Sequence, residues 1–172
     1  MQKKTIFLTK AAVIAALYAA LTLAGAALNL SYGSIQFRFS EALCVLALFT
    51  PAAVPGLAVG CFAANVISPV SPLDMLIGSL ATLLAALASR ALAGVKIKEY
   101  PFCSLLMPVI VNGLAVGAET AFFTARDSFL TAFAANAASV ALSEALVVFT
   151  LGSAVYFGIK RNAGLNKLIS GD

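Results

Sequence analysis

The sequence contains no histidine and no tryptophan, and only 10% of its 172 residues are charged. Histidine is the commonest protein ligand of transition metals, so its absence argues against a transition-metal site. The three cysteines, Cys44, Cys61 and Cys103, lie inside apolar runs, and an odd number in that setting indicates small buried hydrophobes rather than disulfides or metal ligands.

Motifs of nucleotide hydrolysis and of covalent catalysis are also missing from the sequence. It has no G-x-x-x-x-G-K-[ST] phosphate loop, so the chain does not itself use ATP in that way. It also has no constellation of nucleophile and base. We therefore expect binding and passage of a molecule rather than catalysis, with no catalytic residue, no metal and no cofactor in this chain.

Long apolar runs dominate what is present. Hydrophobic residues make up 62% of the chain, and the mean hydropathy is +1.01. A soluble domain carries about a quarter charged residues around one core, whereas long uninterrupted apolar runs are typical of membrane helices. The net charge of +4 resides mostly at the ends of these runs, so it predicts membrane orientation and not nucleic-acid binding.

The apolar runs predict an all-α, single-domain bundle (residues 1–172) of six transmembrane helices in the plasma membrane. The second helix is short for a hydrocarbon core of about 30 Å, and the sixth is longer than one crossing needs. Nine Lys and Arg residues fall on the side of the termini and two, Arg38 and Arg126, on the other, which predicts that both termini are cytoplasmic. The six predicted helices run from about 5 to 28, 38 to 50, 52 to 67, 72 to 93, 101 to 123 and 128 to 159.

A few polar side chains interrupt these apolar segments, and we interpret them as a pocket for a polar small molecule. Arg38 and Glu41 stand three residues apart, so on a helix they share a face and can pair. A carboxylate at mid-bilayer costs several kcal/mol unless it is paired, protonated or hydrated. The candidate substrate-binding residues are Arg38, Glu41, Asn65, Asn112, Glu119 and Glu144.

Each candidate also has a structural alternative. Arg38 and Glu41 can form an ion pair that only fixes a loop, and Glu144 can be a protonated carboxyl that bonds a neighbouring helix. Asn112 can likewise serve a helix contact, and Glu119 can extend towards the surface. Asp74 is interpreted as an acid that complements the dipole of its helix.

The first helix carries two ladders of alanines spaced four residues apart. Small residues at this spacing let another helix approach closely, either inside the bundle or from a partner protein. The ladders are Ala11, Ala15, Ala19 and Ala12, Ala16, Ala20.

Several segments, in order along nearly the whole chain, resemble the QueT family. They are TKAAVIAALYAALT at 9–22, IQFRFSEAL at 35–43, FTPAAVPGL at 49–57, Asp74 with GSLATL at 78–83, and Asn112 through Glu119. Members of this family are substrate-binding S components of energy-coupling factor (ECF) transporters. The resemblance implies a six-helix bundle that captures a queuosine precursor outside the cell and docks onto a transmembrane coupling subunit with two ATPase subunits.

The resemblance also implies a solute and a docking face. The solute would be 7-aminomethyl- or 7-cyano-7-deazaguanine, whose adjacent N–H donors suit a carboxylate. An alanine-x-x-x-alanine face of helix 1 would dock the coupling subunit; both ladders fit, and we assign Ala12, Ala16 and Ala20. The alternatives are an S component for another vitamin-like solute, a secondary transporter in which Glu144 and Glu119 carry protons, and an assembly subunit without a solute.

Overall fold

The computed structural model describes residues 2–28, 37–66 and 73–171, and these ranges are largely helical. A 3₁₀ helix lies between α1 and α2, and a short π-helical segment, Val148–Gly152, joins α5 to α6. The α-helices are α1 Gln2–Ala27, α2 Ala53–Asn65, α3 Asp74–Ala91, α4 Phe102–Thr124, α5 Phe129–Val147, α6 Ser153–Arg161 and α7 Ala163–Ser170, and the 3₁₀ helix spans Phe39–Leu48.

Four helical stretches are long and apolar enough to cross a membrane. They are α1, α3, α4 and the continuous stretch Arg126–Arg161, whereas the 3₁₀ helix and α2 are shorter apolar helices. The all-α prediction is thus confirmed, and the count of six crossings with cytoplasmic termini stays a prediction. The sequence also predicts a polar loop at 29–37 and a turn at 68–72; except for residue 37 they lie outside the described residues, as does the predicted end of the third helix at 67.

The sixth predicted helix corresponds to the stretch Arg126–Arg161, 36 residues long. The π-helical segment interrupts this stretch, and such segments are common causes of bends in long helices. Beyond it, α7 was not predicted; Asn162 caps its start by accepting a hydrogen bond from the backbone N–H of Leu165 at 3.0 Å.

Two pairs of helices approach closely along rows of glycine and alanine. A Cβ atom at Gly56 would lie 2.7 Å from the carbonyl oxygen of Ala11, and one at Gly60 would lie 2.6 Å from that of Ala15. Glycines four residues apart on α2 therefore receive the backbone of α1. The same arrangement recurs where Gly113 and Gly117 of α4 meet α5.

The 3₁₀ helix lies at the centre of the bundle. It contacts each of the helices from α1 to α6 and the π-helical segment, and seven of its ten residues are buried. Its apolar side chains enter both hydrophobic clusters of the core, one around Leu57 and the other around Val148. Since protein surrounds it, this helix does not need the length of a membrane crossing.

Candidate functional site

The buried charged groups of the described chain are strongly unbalanced in sign. They comprise one guanidinium and four carboxylates, none more than 6% exposed. They are Arg38, Glu41, Asp74, Glu119 and Glu144. Because charges are rarely buried without partners, the contacts of each one define what this region does.

Glu41 sits on the central 3₁₀ helix, where two side chains donate to its carboxylate. The hydroxyl of Tyr18, on α1, donates to Oε1. The thiol of Cys44 donates to Oε2 at 3.0 Å. Next to this contact, Thr22 of α1 donates to the hydroxyl of Ser40 at 2.7 Å. Hydrogen bonds between side chains thus join α1 to the 3₁₀ helix at the carboxylate.

Glu144, on α5, lies beside Glu41. The amide nitrogen of Asn112, on α4, donates to Oε1 of Glu144 at 2.9 Å, and Glu41 lies near enough for the two carboxyl groups to act on each other electrostatically. The two Ser-Glu-Ala-Leu segments of the sequence, at 40–43 and 143–146, therefore meet at their glutamates.

Arg38 forms an ion pair with Asp74 at the start of α3, with 3.7 Å between Nη2 and Oδ2. The amide of Asn65 donates to the backbone carbonyl of Asp74 at 3.1 Å. Gly78, one turn along α3, leaves room for these groups, since a Cβ atom there would lie 2.6 Å from the amide nitrogen of Asn65. The sequence predicted Glu41 as the partner of Arg38; the ion pair that the structure shows is with Asp74, which sequence reasoning had assigned to the helix dipole alone.

Glu119, on α4, is 4% exposed, so its carboxylate does not extend to the surface. It lies close enough to Asp74 and Arg38 for both charges to act on it. Neither of its carboxylate oxygens has a hydrogen-bond partner among the described residues, and the same holds for Oδ2 of Asp74 and Oδ1 of Asn65. The region around Glu119 thus holds several acceptors without a hydrogen bond, of which Oδ2 of Asp74 is ion-paired with Arg38, and a buried donor next to Glu119 in the chain, Oγ1 of Thr120, has none either.

All six candidate residues predicted from the sequence are buried in the structure. They fall into two neighbouring groups, one around Glu41 and Glu144 with Asn112, the other around Arg38 and Glu119 with Asn65. The two groups interact electrostatically, because the positive charge of Arg38 acts on the carboxyl groups of both Glu119 and Glu144. Among the described residues no set of metal-ligating side chains is arranged to hold a metal ion.

Sequence reasoning missed two of the residues that contact this site. Tyr18 is 1% exposed, and a buried tyrosine hydroxyl needs a partner; its four-residue spacing from Ile14 and Thr22 was the available signal. Cys44 is buried as predicted, but it also donates to Glu41 and so is more than a small hydrophobe.

The two alanine ladders of α1 differ in the structure. Ala11 and Ala15 face α2, where they meet Gly56 and Gly60. The other ladder is exposed at all three positions, Ala12, Ala16 and Ala20. An unoccupied face of small residues therefore remains on the outside of the bundle.

The comparisons with known proteins agree with the sequence resemblance. The chain is 37% identical over 82 residues to a curated relative from Lactococcus lactis subsp. cremoris (strain MG1363), called queuosine precursor transporter QueT. The match spans about half of each protein, 48% of this chain and 48% of the relative. No solved structure matches the chain.

A model of the family described as QueT transporter matches residues 8–161. This match covers most of α1 and the whole of the 3₁₀ helix and of α2, α3, α4 and α5, the elements that bear the site residues. Together with the membrane-length helices, it makes the chain a multi-pass protein of the plasma membrane. The chain belongs to the QueT transporter family.

Proposed function

We propose that this chain is the substrate-binding S component of an ECF-type importer and that it captures a queuosine precursor, 7-aminomethyl- or 7-cyano-7-deazaguanine, from outside the cell. The family and the name of the Lactococcus relative support a transporter for such a molecule. The observation that carries the proposal is the buried polar site. Arg38, four carboxylates and two amides converge inside a largely apolar helical bundle, and polar groups persist at such a depth where they serve a ligand.

The chemistry of the site matches the hydrogen-bonding edge of a deazaguanine. That edge offers adjacent N–H donors and a carbonyl acceptor, and a carboxylate accepts two parallel N–H bonds in the bidentate manner. Glu144 is already oriented by the amide of Asn112, and Glu41 is oriented by Tyr18 and Cys44. Carboxylates held in one orientation bind a ligand with little loss of side-chain entropy.

The exposed ladder of α1 supplies a docking face in this proposal. Ala12, Ala16 and Ala20 leave a flat strip on which a helix of the coupling subunit can pack closely. The other ladder is already occupied by α2. Two ATPase subunits bound to the coupling subunit would supply the energy, since the chain has no phosphate loop of its own.

Isothermal titration of the detergent-purified chain tests the proposed solute. Both deazaguanines and guanine, which lacks the 7-substituent, are titrated into the same preparation. We expect binding of at least one deazaguanine and clear discrimination against guanine. A folded sample that binds neither deazaguanine would refute the solute assignment and favour a different vitamin-like molecule.

A second function, proton-coupled secondary transport, is favoured by one observation. Glu41 and Glu144 are two buried carboxyl groups near enough to act on each other electrostatically, an arrangement that can hold and release a proton. Uptake by cells is then measured with an ionophore present and cellular ATP held constant. Uptake that persists supports the ATP-driven importer, and uptake that collapses supports proton coupling.

A further inference from the structure

The charges of the buried site leave it with an excess of negative groups. Four carboxylates face one guanidinium among the buried residues that the structure describes, and no buried lysine accompanies them. Arg38 is paired with Asp74. Removing a carboxylate from water without a compensating charge or hydrogen bond is costly, so the carboxylates that are not paired with Arg38 need other partners.

The hydrogen bonds identify which part of the site lacks that partner. Glu41 and Glu144 each accept hydrogen bonds from neighbouring side chains. Around Glu119, by contrast, four buried acceptor atoms have no hydrogen bond, namely both oxygens of Glu119, Oδ1 of Asn65 and Oδ2 of Asp74, the last of which is ion-paired with Arg38. The donors there, Nη2 of the ion-paired Arg38 and Oγ1 of Thr120, are fewer than these acceptors. The group that completes this part of the site must therefore donate more hydrogen bonds than it accepts.

We propose that Glu119, together with Asp74 and Asn65, forms a subsite for a primary ammonium group on the solute. An ammonium offers three N–H donors and one positive charge, which answers both the unsatisfied acceptors and the excess of carboxylates. This inference rests on the proposed function, and it selects between the two solutes named there. The chain binds the 7-aminomethyl compound in preference to the 7-cyano compound.

The two solutes differ at a single substituent, which makes the selection sharp. The aminomethyl group is a cation that donates hydrogen bonds, whereas the nitrile is neutral and only accepts them. A nitrile placed against Glu119 would bring an acceptor towards acceptors and leave all of them unsatisfied in a buried site. A site built to bond an N–H donor rejects an analogue that lacks it more strongly than an apolar pocket rejects a change of size.

Titration calorimetry with the full-length purified chain tests this inference with two variants. We expect the wild-type chain to bind the aminomethyl compound about tenfold or more tightly than the cyano compound, as for loss of a hydrogen bond between charged groups. Glu119→Gln should abolish most of that difference. The variant should lower the affinity for the aminomethyl compound by a similar factor. It should keep or raise the affinity for the cyano compound, because the side-chain amide of the glutamine can donate a hydrogen bond to the nitrile. Glu99→Gln, at an exposed loop position, is the matched control and should keep the wild-type preference.

The possible results separate this inference from the proposed function. Equal affinities for the two compounds in the wild-type chain, or a preference for the nitrile, would overturn the ammonium subsite and leave the transporter of a deazaguanine standing. An amine preference that survives intact in folded Glu119→Gln would likewise overturn the role of Glu119. Binding of neither compound would overturn the proposed solute and the subsite together. Because the wild-type comparison needs no variant, the inference stays testable if Glu119→Gln does not fold.

Discussion

Replacing Gly60 by alanine is expected to destabilise the chain by pushing α1 away from α2. A Cβ atom at this position would lie 2.6 Å from the carbonyl oxygen of Ala15 and 2.7 Å from Cβ of Tyr18. Both contacts are far inside van der Waals distance, and neither involves the flexible end of a side chain, so the helices themselves must separate. Overpacking of this kind costs about 1–3 kcal/mol.

Alanine also favours the helix over glycine by roughly 0.5–1 kcal/mol, and this gain partly offsets the cost. Gly158→Ala measures this gain in helix stability without overpacking, because Gly158 is also helical and has nothing within 4 Å of the position of a Cβ. The difference in stability between the two variants therefore isolates the overpacking cost, ~1–3 kcal/mol in favour of Gly158→Ala.

Thermal unfolding in one detergent, followed by circular dichroism, compares the two variants with the wild-type chain. Gly60→Ala should have the lowest apparent melting temperature of the three and Gly158→Ala the highest or near it. Since the hydroxyl of Tyr18 bonds Glu41, we also expect Gly60→Ala to weaken solute binding. Equal melting temperatures of the two variants would refute the close approach of α1 and α2.

Three further predictions concern other parts of the chain. Glu144→Gln should weaken solute binding by about 1.5–3 kcal/mol, the range for a hydrogen bond to a charged group, while Glu99→Gln should not; wild-type affinity in calorimetry would remove Glu144 from the site. Ala12→Leu with Ala16→Leu should spare solute binding and abolish transport and co-purification with the coupling subunit, and a loss of binding instead would mean that this face packs inside the bundle. The pKa of Glu99 lies below its ordinary value because Lys160 donates a hydrogen bond to it at 2.8 Å. A lowered pKa means that the pair stabilises the fold above the ordinary pKa of a carboxyl and that this contribution is lost as the pH falls through the lowered pKa. Lys160→Gln should thus raise the pKa of Glu99 in a carbon-13 NMR titration, and an unchanged pKa would contradict the contact.

The helices and the polar residues of the site could be predicted from the sequence because both follow from the cost of polarity in a membrane. Long apolar runs determine where helices form, and their predicted ends differ from the observed ones by a few residues at most. For example, the helix predicted from about 101 to 123 is observed as Phe102–Thr124. Polar residues inside such runs are few, so those with a role stand out, as Glu119 and Glu144 do.

Contacts between distant segments could not be predicted, because they depend on how the helices are arranged in space. Tyr18 and Glu41 are 23 residues apart, and no sequence periodicity links them. The two alanine ladders of α1 are equivalent as patterns, and only the position of Gly56 and Gly60 on α2 distinguishes them. Asp74 was explained locally, as an acid in the first turn of a helix, and this explanation gave no reason to expect its pairing with Arg38.

The row of glycine and alanine between α1 and α2 bears on what fixes the rotation of α1 about its own axis. The glycines of α2 have no side chains that would resist a turn of α1 about its axis, so the rotational setting depends on the side chains of α1 that lie against them. The second ladder is displaced from the first by one residue, about 100° around the helix, and has the same residue type at the same spacing. The observed setting is favoured by packing, because it buries Ile14 and Tyr18 against α2. It is also favoured by hydrogen bonding, because it brings Tyr18 to Glu41 and Thr22 to Ser40. The hydroxyl groups of Tyr18 and Thr22 thus help to fix the rotation of α1 about its axis. That rotation determines which row of alanines faces α2 and which faces outward.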